Sequence, residues 1–270
     1  AMLNALRAKA TDSDGGEGDN ESDVAVDGDE LLMACLTGEA LAVSRQIAAG
    51  ADVNYENDEG RTPLMMAIAG LGRGGMSRRR ERDFEQIVDS LLAAGADPNR
   101  GLMSSLILAT TTGRLHLVNA MLRAGADIDA ATELPTDEEG GTMLATALFV
   151  ALSSNEHGAT IDERIGLALL AAGPDLSFRS DDGSMAVHCA AKTGMSKVLN
   201  RMLDLAPELI DAQDDDGSTP LMLASAGGHV DAINGLLKRG ASREIRDAKG
   251  RSAIQIAQDA GHQQAVAALV

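Results

Sequence analysis

Thiols, imidazoles and carboxylates are the groups in this 270-residue chain that could carry chemistry, so their spacing comes first. Cys35 and Cys189 are 154 positions apart, and neither has a second Cys or His at the short spacing a zinc site needs. They are expected to be free thiols of a reducing compartment, used as small buried side chains. His116 and His157 also lack a ligand-spaced neighbour and are expected at the surface. Gly70-Leu71-Gly72-Arg73-Gly74-Gly75 formally matches the glycine-rich dinucleotide fingerprint, which binds phosphate only between the strand and helix of a βαβ unit. The sequence holds no Walker loop, no Gly-x-Ser-x-Gly elbow and no His-Glu-x-x-His, and its Asp-rich strings lack the full calcium-loop spacing. No metal, cofactor or small-molecule substrate is therefore expected, and no enzymatic activity.

Composition excludes more. The net charge is −18, with one Tyr, three Phe and no Trp. An acidic surface repels phosphate backbones and there are no rings on which to stack bases, so nucleic acid and anionic membranes are not expected partners. The core must be aliphatic, built from Ala, Leu, Ile, Val and 12 Met. Residues 11–30 hold nine acids and no base, which predicts a disordered acidic segment over 1–30 ahead of a folded domain over 31–270. With no leader-like or membrane-spanning run, the expected location is cytoplasmic, the nucleus being the alternative, and not secreted.

The elements that must position any site announce themselves by repetition. Gly50-Ala51-Asp52, Gly95-Ala96-Asp97, Gly125-Ala126-Asp127, Gly173-Pro174-Asp175 and Gly240-Ala241-Ser242 each follow a short apolar helix. Gly60-Arg61-Thr62-Pro63-Leu64-Met65, Gly183-Ser184-Met185-Ala186-Val187-His188 and Gly217-Ser218-Thr219-Pro220-Leu221-Met222 open others, and Gly217 and Gly250 are 33 residues apart. Thr-Pro suits a helix start, the threonine capping and the proline occupying the first turn. Ala224 and Ala226 keep a first helix thin, Gly227-Gly228 ends it, and Leu236 and Leu237 face the next repeat.

These motifs resemble the ankyrin repeat, a β-turn finger followed by two antiparallel helices. The resemblance covers about nine-tenths of the chain and implies an all-α, ankyrin-repeat solenoid of about seven units: 31–57, 58–99, 100–131, 132–178, 179–213, 214–246 and 247–270. It implies that His188, His229 and His262 tie neighbouring loops together. It also places Asn54 and Asn99 where similar repeats can be hydroxylated. Gln258, Asp259, Gln263 and Gln264 mark the last unit as a solvent-facing cap.

By the same resemblance, a partner protein is expected at the finger tips and the concave face. The tips are Asp58, Glu59 and Arg61; Arg100 and Met103; Glu138 and Glu139; Asp181, Asp182 and Ser184; Asp215, Asp216 and Ser218; and Lys249 and Arg251. The six acids from Glu138 to Asp216 form a ladder over three units, and Lys249 and Arg251 reverse its sign. Asp is also common in turns because it satisfies backbone N–H groups, a reading that stands beside the functional one.

Two units exceed the period, through insertions near 71–82 and 153–162. The first holds a secondary basic loop, Arg73, Arg78, Arg79, Arg80 and Arg82, which would extend the second helix, dock on the acidic segment, or meet an acidic or phosphorylated partner. In the second, Thr160-Ile161-Asp162-Glu163 is a capping-box pattern that predicts a longer second helix. The expected function is a non-enzymatic adaptor or scaffold that receives a basic segment of another protein. The alternatives are an assembly chaperone for a basic client and a regulatory domain of a larger enzyme.

Overall fold

The computed structural model describes residues 28–72, 76–135, 142–153 and 162–270. Fourteen α-helices lie among them, in seven successive pairs, and the chain divides into two compact units at 142/143. No helix of the described residues is long and apolar enough to cross a membrane.

The first unit holds α1 (Gly28–Thr37), α2 (Ala40–Ala48), α3 (Pro63–Leu71), α4 (Arg78–Ala93), α5 (Ser105–Thr111) and α6 (Leu115–Arg123), then the strand β1 (Thr132–Pro135). The first helices of the pairs form an inner row, α1 on α3 and α3 on α5, while α2 packs on α4. Thr62 starts α3 as the sequence predicts: its Oγ1 accepts from Met65 N–H and Pro63 fills the first turn. Every residue of α3 is buried, so this helix has no polar face. α4, by contrast, buries only Phe84, Ile87, Val88 and Leu91, the helical spacing of an outer-row element.

Although the core is mostly aliphatic, a ring sits at its tightest point. Phe84 is fully buried, and a Cβ added at Gly70 would lie 2.2 Å from its ring, one at Gly38 2.8 Å. The two glycines of neighbouring helix turns therefore make the space that the largest buried side chain fills. Of the dinucleotide fingerprint, Gly70 and Leu71 end a helix where the motif needs a strand, and Arg73, Gly74 and Gly75 lie outside the described residues.

The second unit opens in the strand β2 (Thr142–Ala145) and continues with α7 (Ala147–Leu152), α8 (Glu163–Ala171), α9 (Ala186–Lys192), α10 (Ser196–Leu205), a 3₁₀ turn (Pro207–Asp211), α11 (Pro220–Ala226), α12 (Val230–Lys238), α13 (Ala253–Asp259) and α14 (Gln263–Leu269). Its inner row is α7, α9, α11 and α13, its outer row α8, α10, α12 and α14, each helix packing on the next of its own row and on its own pair partner. Thr219 caps α11 through Met222 N–H, and Gly227 ends it. Ala224 and Leu236 are fully buried; Ala226 is exposed and Leu237 half-buried, so only one of each pair makes the close contact. Gln258, Asp259, Gln263 and Gln264 of the last pair are all exposed.

Both insertions differ from a simple loop. α4 begins at Arg78 behind Ser77, whose Oγ accepts from Arg80 N–H at 3.4 Å, and it runs for 16 residues. The basic stretch is thus helical from Arg78 onward; Arg73 lies outside the described residues. The capping-box reading of the second insertion is corrected. Asp162, not Thr160, caps α8, accepting from Arg164 N–H, and α8 has nine residues like α2 and α6. Thr160 and Ile161 lie outside the described residues, as does His157.

Burial sets the character of the thiols. Cys35 in α1 is inaccessible, Cys189 in α9 is half-buried, and burial pushes each thiol up to about 12. Neither has the chemistry of a nucleophile at neutral pH.

Candidate functional site

Four of the fingers among the described residues are each built around a polar side chain that folds its own turn. Asn57 Oδ1 accepts from the N–H groups of Glu59 (3.1 Å) and Arg61 (2.9 Å). Asp214 Oδ1 accepts from Ser218 N–H at 2.7 Å. Asp247 Oδ1 accepts from Lys249 (3.0 Å) and Arg251 (2.8 Å) N–H groups, and its second oxygen takes Arg251 Nε at 2.8 Å. In the remaining finger Ser180 holds this place, donating to Ser184 O (3.0 Å) and to Asp182 Oδ1 (2.5 Å). A glycine with φ between 70° and 75° closes each turn, at Gly60, Gly183, Gly217 and Gly250.

Fingers are then tied to one another through the backbone. In the first unit Leu102 N–H donates to Gly60 O at 2.6 Å; in the second, Asp215 N–H donates to Asp182 O at 3.2 Å and Ala248 N–H to Asp216 O at 2.8 Å. A further bond recurs at the residue four before the finger glycine. Arg179 Nη1 donates to Gly183 O (3.0 Å), Gln213 Nε2 to Gly217 O (2.8 Å) and Arg246 Nη1 to Gly250 O (2.9 Å). Arg179 reaches the next finger as well, at Gln213 O, 3.1 Å away. The sequence reading missed these residues, although all three stand at one register of the 33-residue period.

This geometry sorts the acids of the tips. Asp182 is engaged in its own turn; partial burial raises its pKa, but hydrogen bonds from Ser180 and Ser184 outweigh that and hold it below the usual carboxylate value. Asp181, Asp215 and Asp216 are exposed and, among the described residues, their carboxylates accept no hydrogen bond. Ser184 and Ser218 are half-buried beside them. Glu138 and Glu139, the first rung of the expected ladder, lie outside the described residues.

The basic tips are less basic than their sequence. Arg251 pairs with Asp247 at 2.7 Å, while Lys249 is exposed and forms no ion pair among the described residues. Asp247 is 7% exposed; burial raises its pKa, and the bonds from Arg251 and Lys249 prevail to keep it low. In the first unit Arg61 is only 5% exposed and pairs with Glu59, so it belongs to the turn rather than to a contact surface. Asp58 and Glu59 are exposed, Arg100 lies 4.0 Å from Glu56, and Met103 is half-buried.

Histidines and asparagines form the loop ladder. His188 Nδ1 accepts from Met185 N–H (3.0 Å), which leaves Nε2–H to donate to Ala212 O (2.9 Å). His229 Nε2 donates to Lys192 O at 2.9 Å and His262 Nε2 to Ala226 O at 3.0 Å, one helix pair back in each case. Asn54 donates to Gly95 O (3.0 Å) and accepts from Asp97 N–H (2.7 Å); Asn99 repeats this with Gly125 and Asp127 (2.9 and 2.7 Å). His116 is at the surface, 3.1 Å from Glu85. No group of three or more acids, histidines or cysteines among the described residues is placed to hold a metal. What these surfaces offer is charge and hydrogen bonding on a rigid frame.

Outside the fingers, one groove of about 570 Å³ runs between α2 and the start of α4. Arg45 and Arg79 line it together with Glu39, Leu41, Asp83 and Gln86. Arg78, Arg79, Arg80 and Arg82 are exposed; Arg80 donates to Thr37 O at 3.1 Å.

Comparison with known proteins agrees with this construction. A model of ankyrin repeats in three copies matches 157–247 and 188–270, and a single ankyrin repeat model matches 59–101, together more than half of the chain. The chain is 27% identical over 205 residues to neurogenic locus notch homolog protein 1 of Cricetulus griseus and 28% over 211 residues to notch homolog protein 2 of Homo sapiens. Each match covers 73% of this chain but only 7% or 8% of the relative, so the chain spans a small part of these proteins. Protein glp-1 of Caenorhabditis elegans is 29% identical over 245 residues, 87% of this chain and 17% of that protein. Among solved structures, the human ASB11 ankyrin repeat domain superposes with a TM-score of 0.64 at 23% identity, covering 89% of this chain and 97% of that one. The ankyrin repeat domain of Bcl-3 gives 0.61 at 21% identity, over 93% and 99%. Capped thin inner helices, glycine-closed fingers and a histidine ladder, matched by these models, make the chain a member of the ankyrin repeat family, and so a protein–protein interaction module.

Proposed function

We propose that the chain binds a basic segment of a partner protein along the finger tips of its second unit, as an adaptor or scaffold subunit without catalysis. The supporting observation is that Asp181, Asp215 and Asp216 stand exposed and unbonded on adjoining fingers locked by backbone bonds of 3.2 and 2.8 Å. The finger backbones that carry these short side chains are fixed before binding, and like charges side by side add their fields. The same surface repels phosphate backbones, which argues against nucleic acid as the ligand.

The test is calorimetric titration of the chain with a synthetic Lys/Arg-rich peptide. Exchanging Asp181, Asp215 and Asp216 for Lys should weaken binding at least tenfold, and raising the salt should weaken it in the wild type, because exposed charges are screened over about 8 Å at physiological ionic strength. Reversing the exposed Asp259 of α13 supplies the control. Equal affinity for the finger variant and the control would refute the proposal. The same row would serve an assembly chaperone, which release of one basic client on incorporation into its complex would identify.

A further inference from the structure

The start of α4, on the wall of the groove between α2 and α4, gathers four exposed arginines in a chain that is strongly acidic. Among the described residues, Arg45, Arg78, Arg79 and Arg82 form no ion pair, and Arg80 bonds only a carbonyl. The acids at hand offset them only in part. Glu81 and Glu85 face the other side of α4, where they hold Arg114 at 2.8 and 3.5 Å. Glu39 and Asp83 line the groove opposite Arg45 and Arg79, so Arg78, Arg80 and Arg82 supply the positive excess. Arg79 and Arg82 are neighbours at i, i+3, and Arg78 and Arg82 at i, i+4, so like charges meet there. Leu41, 67% exposed, sits on the groove wall. A surface of this kind fits an acidic, extended peptide.

We propose that the occupant is this chain's own residues 11–27, docked in cis. That stretch carries Asp12, Asp14, Glu17, Asp19, Glu21, Asp23 and Asp27 with no Lys or Arg, and joins α1 at Gly28. The groove lies at the far end of α1, where Gly38 follows Thr37, about 15 Å along a ten-residue helix. An extended chain covers roughly 3.3 Å per residue, so the acids from Asp12 to Asp23 reach it without strain. Tethering holds the segment at a local concentration on the order of millimolar, which favours it over a free acidic peptide. The contact is separate from the finger tips, so its failure leaves the proposed function untouched.

The experiment is amide NMR on the full chain and on a variant with those seven acids changed to Asn or Gln. Neutralisation should shift amides at 39–45 and 78–86 while leaving the fingers unmoved, and high salt should shift the same set. In an Arg79→Glu, Arg82→Glu chain, neutralising the segment should no longer move those amides. A free peptide of residues 11–27 should bind the neutralised chain at the groove, at least fivefold more weakly once Arg79 and Arg82 are reversed. Unmoved groove amides on neutralisation overturn the proposal. If the free peptide binds there while neutralisation moves nothing, the groove belongs to an acidic partner in trans and the docking in cis is likewise overturned.

Discussion

His188 shows how much one side chain can hold in this fold. It is 1% exposed, takes Met185 N–H on one nitrogen and gives its proton to Ala212 O on the other. Burial is the main cause that depresses its pKa below the ordinary 6.5, for protonation would set a second N–H against that of Met185. A histidine held neutral in the folded state contributes stability that is complete above the unfolded value and lost as pH falls through 6.5 toward the lower folded value. The melting temperature of the wild type should therefore fall more steeply below pH 6.5 than that of His188→Gln, and parallel pH profiles would contradict this. The three loop histidines were legible in the sequence because the family places them. The separation of Asp182 from Asp181, or of Arg251 from Lys249, was not, because it depends on which side chain bonds back into its own turn, Asp182 accepting from Ser180 and Ser184 and Arg251 donating to Asp247.

At the scale of elements, the contact that sets the geometry of the first unit is Phe84 of α4 against Gly70 of α3. A methyl group at position 70 would meet the ring at 2.2 Å, and neither helix can yield without moving its own neighbours. Gly70→Ala should cost about 1–3 kcal/mol, the usual penalty for overpacking, although alanine favours helix at an open site. Urea denaturation would measure it, and a neutral or stabilising result would mean that the helices separate freely. Helix starts with Thr-Pro were readable directly, since cap and first turn are local. The beginning of α4 was not: from Arg78 to Asp83 the residues are polar, and the apolar spacing of Phe84, Ile87, Val88 and Leu91 shows only afterwards. What fixes the start is Ser77, a single hydroxyl. Asp162 escaped in the same way, because Thr160 offered a second, equally regular cap in the sequence.

For the molecule as a whole, the 33-residue period gave away the seven helix pairs, and the net charge of −18 gave the sign of the surface but not its distribution. Sign alone could not show that exposed acids gather on the fingers of the second unit while unpaired arginines gather beside α2 in the first. The inner row explains why so few rings suffice: every residue of α3 and all but the last of α5 are buried, and the few Phe rings sit where glycines or another ring leave room. The thiols carry this division into kinetics. Cys35 belongs to the first unit and Cys189 to the second, and burial pushes each thiol up to about 12, so little of either is thiolate at pH 8 while the fold is closed. Modification by a disulfide reagent must then wait for opening, and each sulfur becomes an internal clock for its own half. Two distinct labelling rates in Cys35→Ala and Cys189→Ala chains would show that the halves open separately, and one shared rate that the whole array breathes as a single cooperative body.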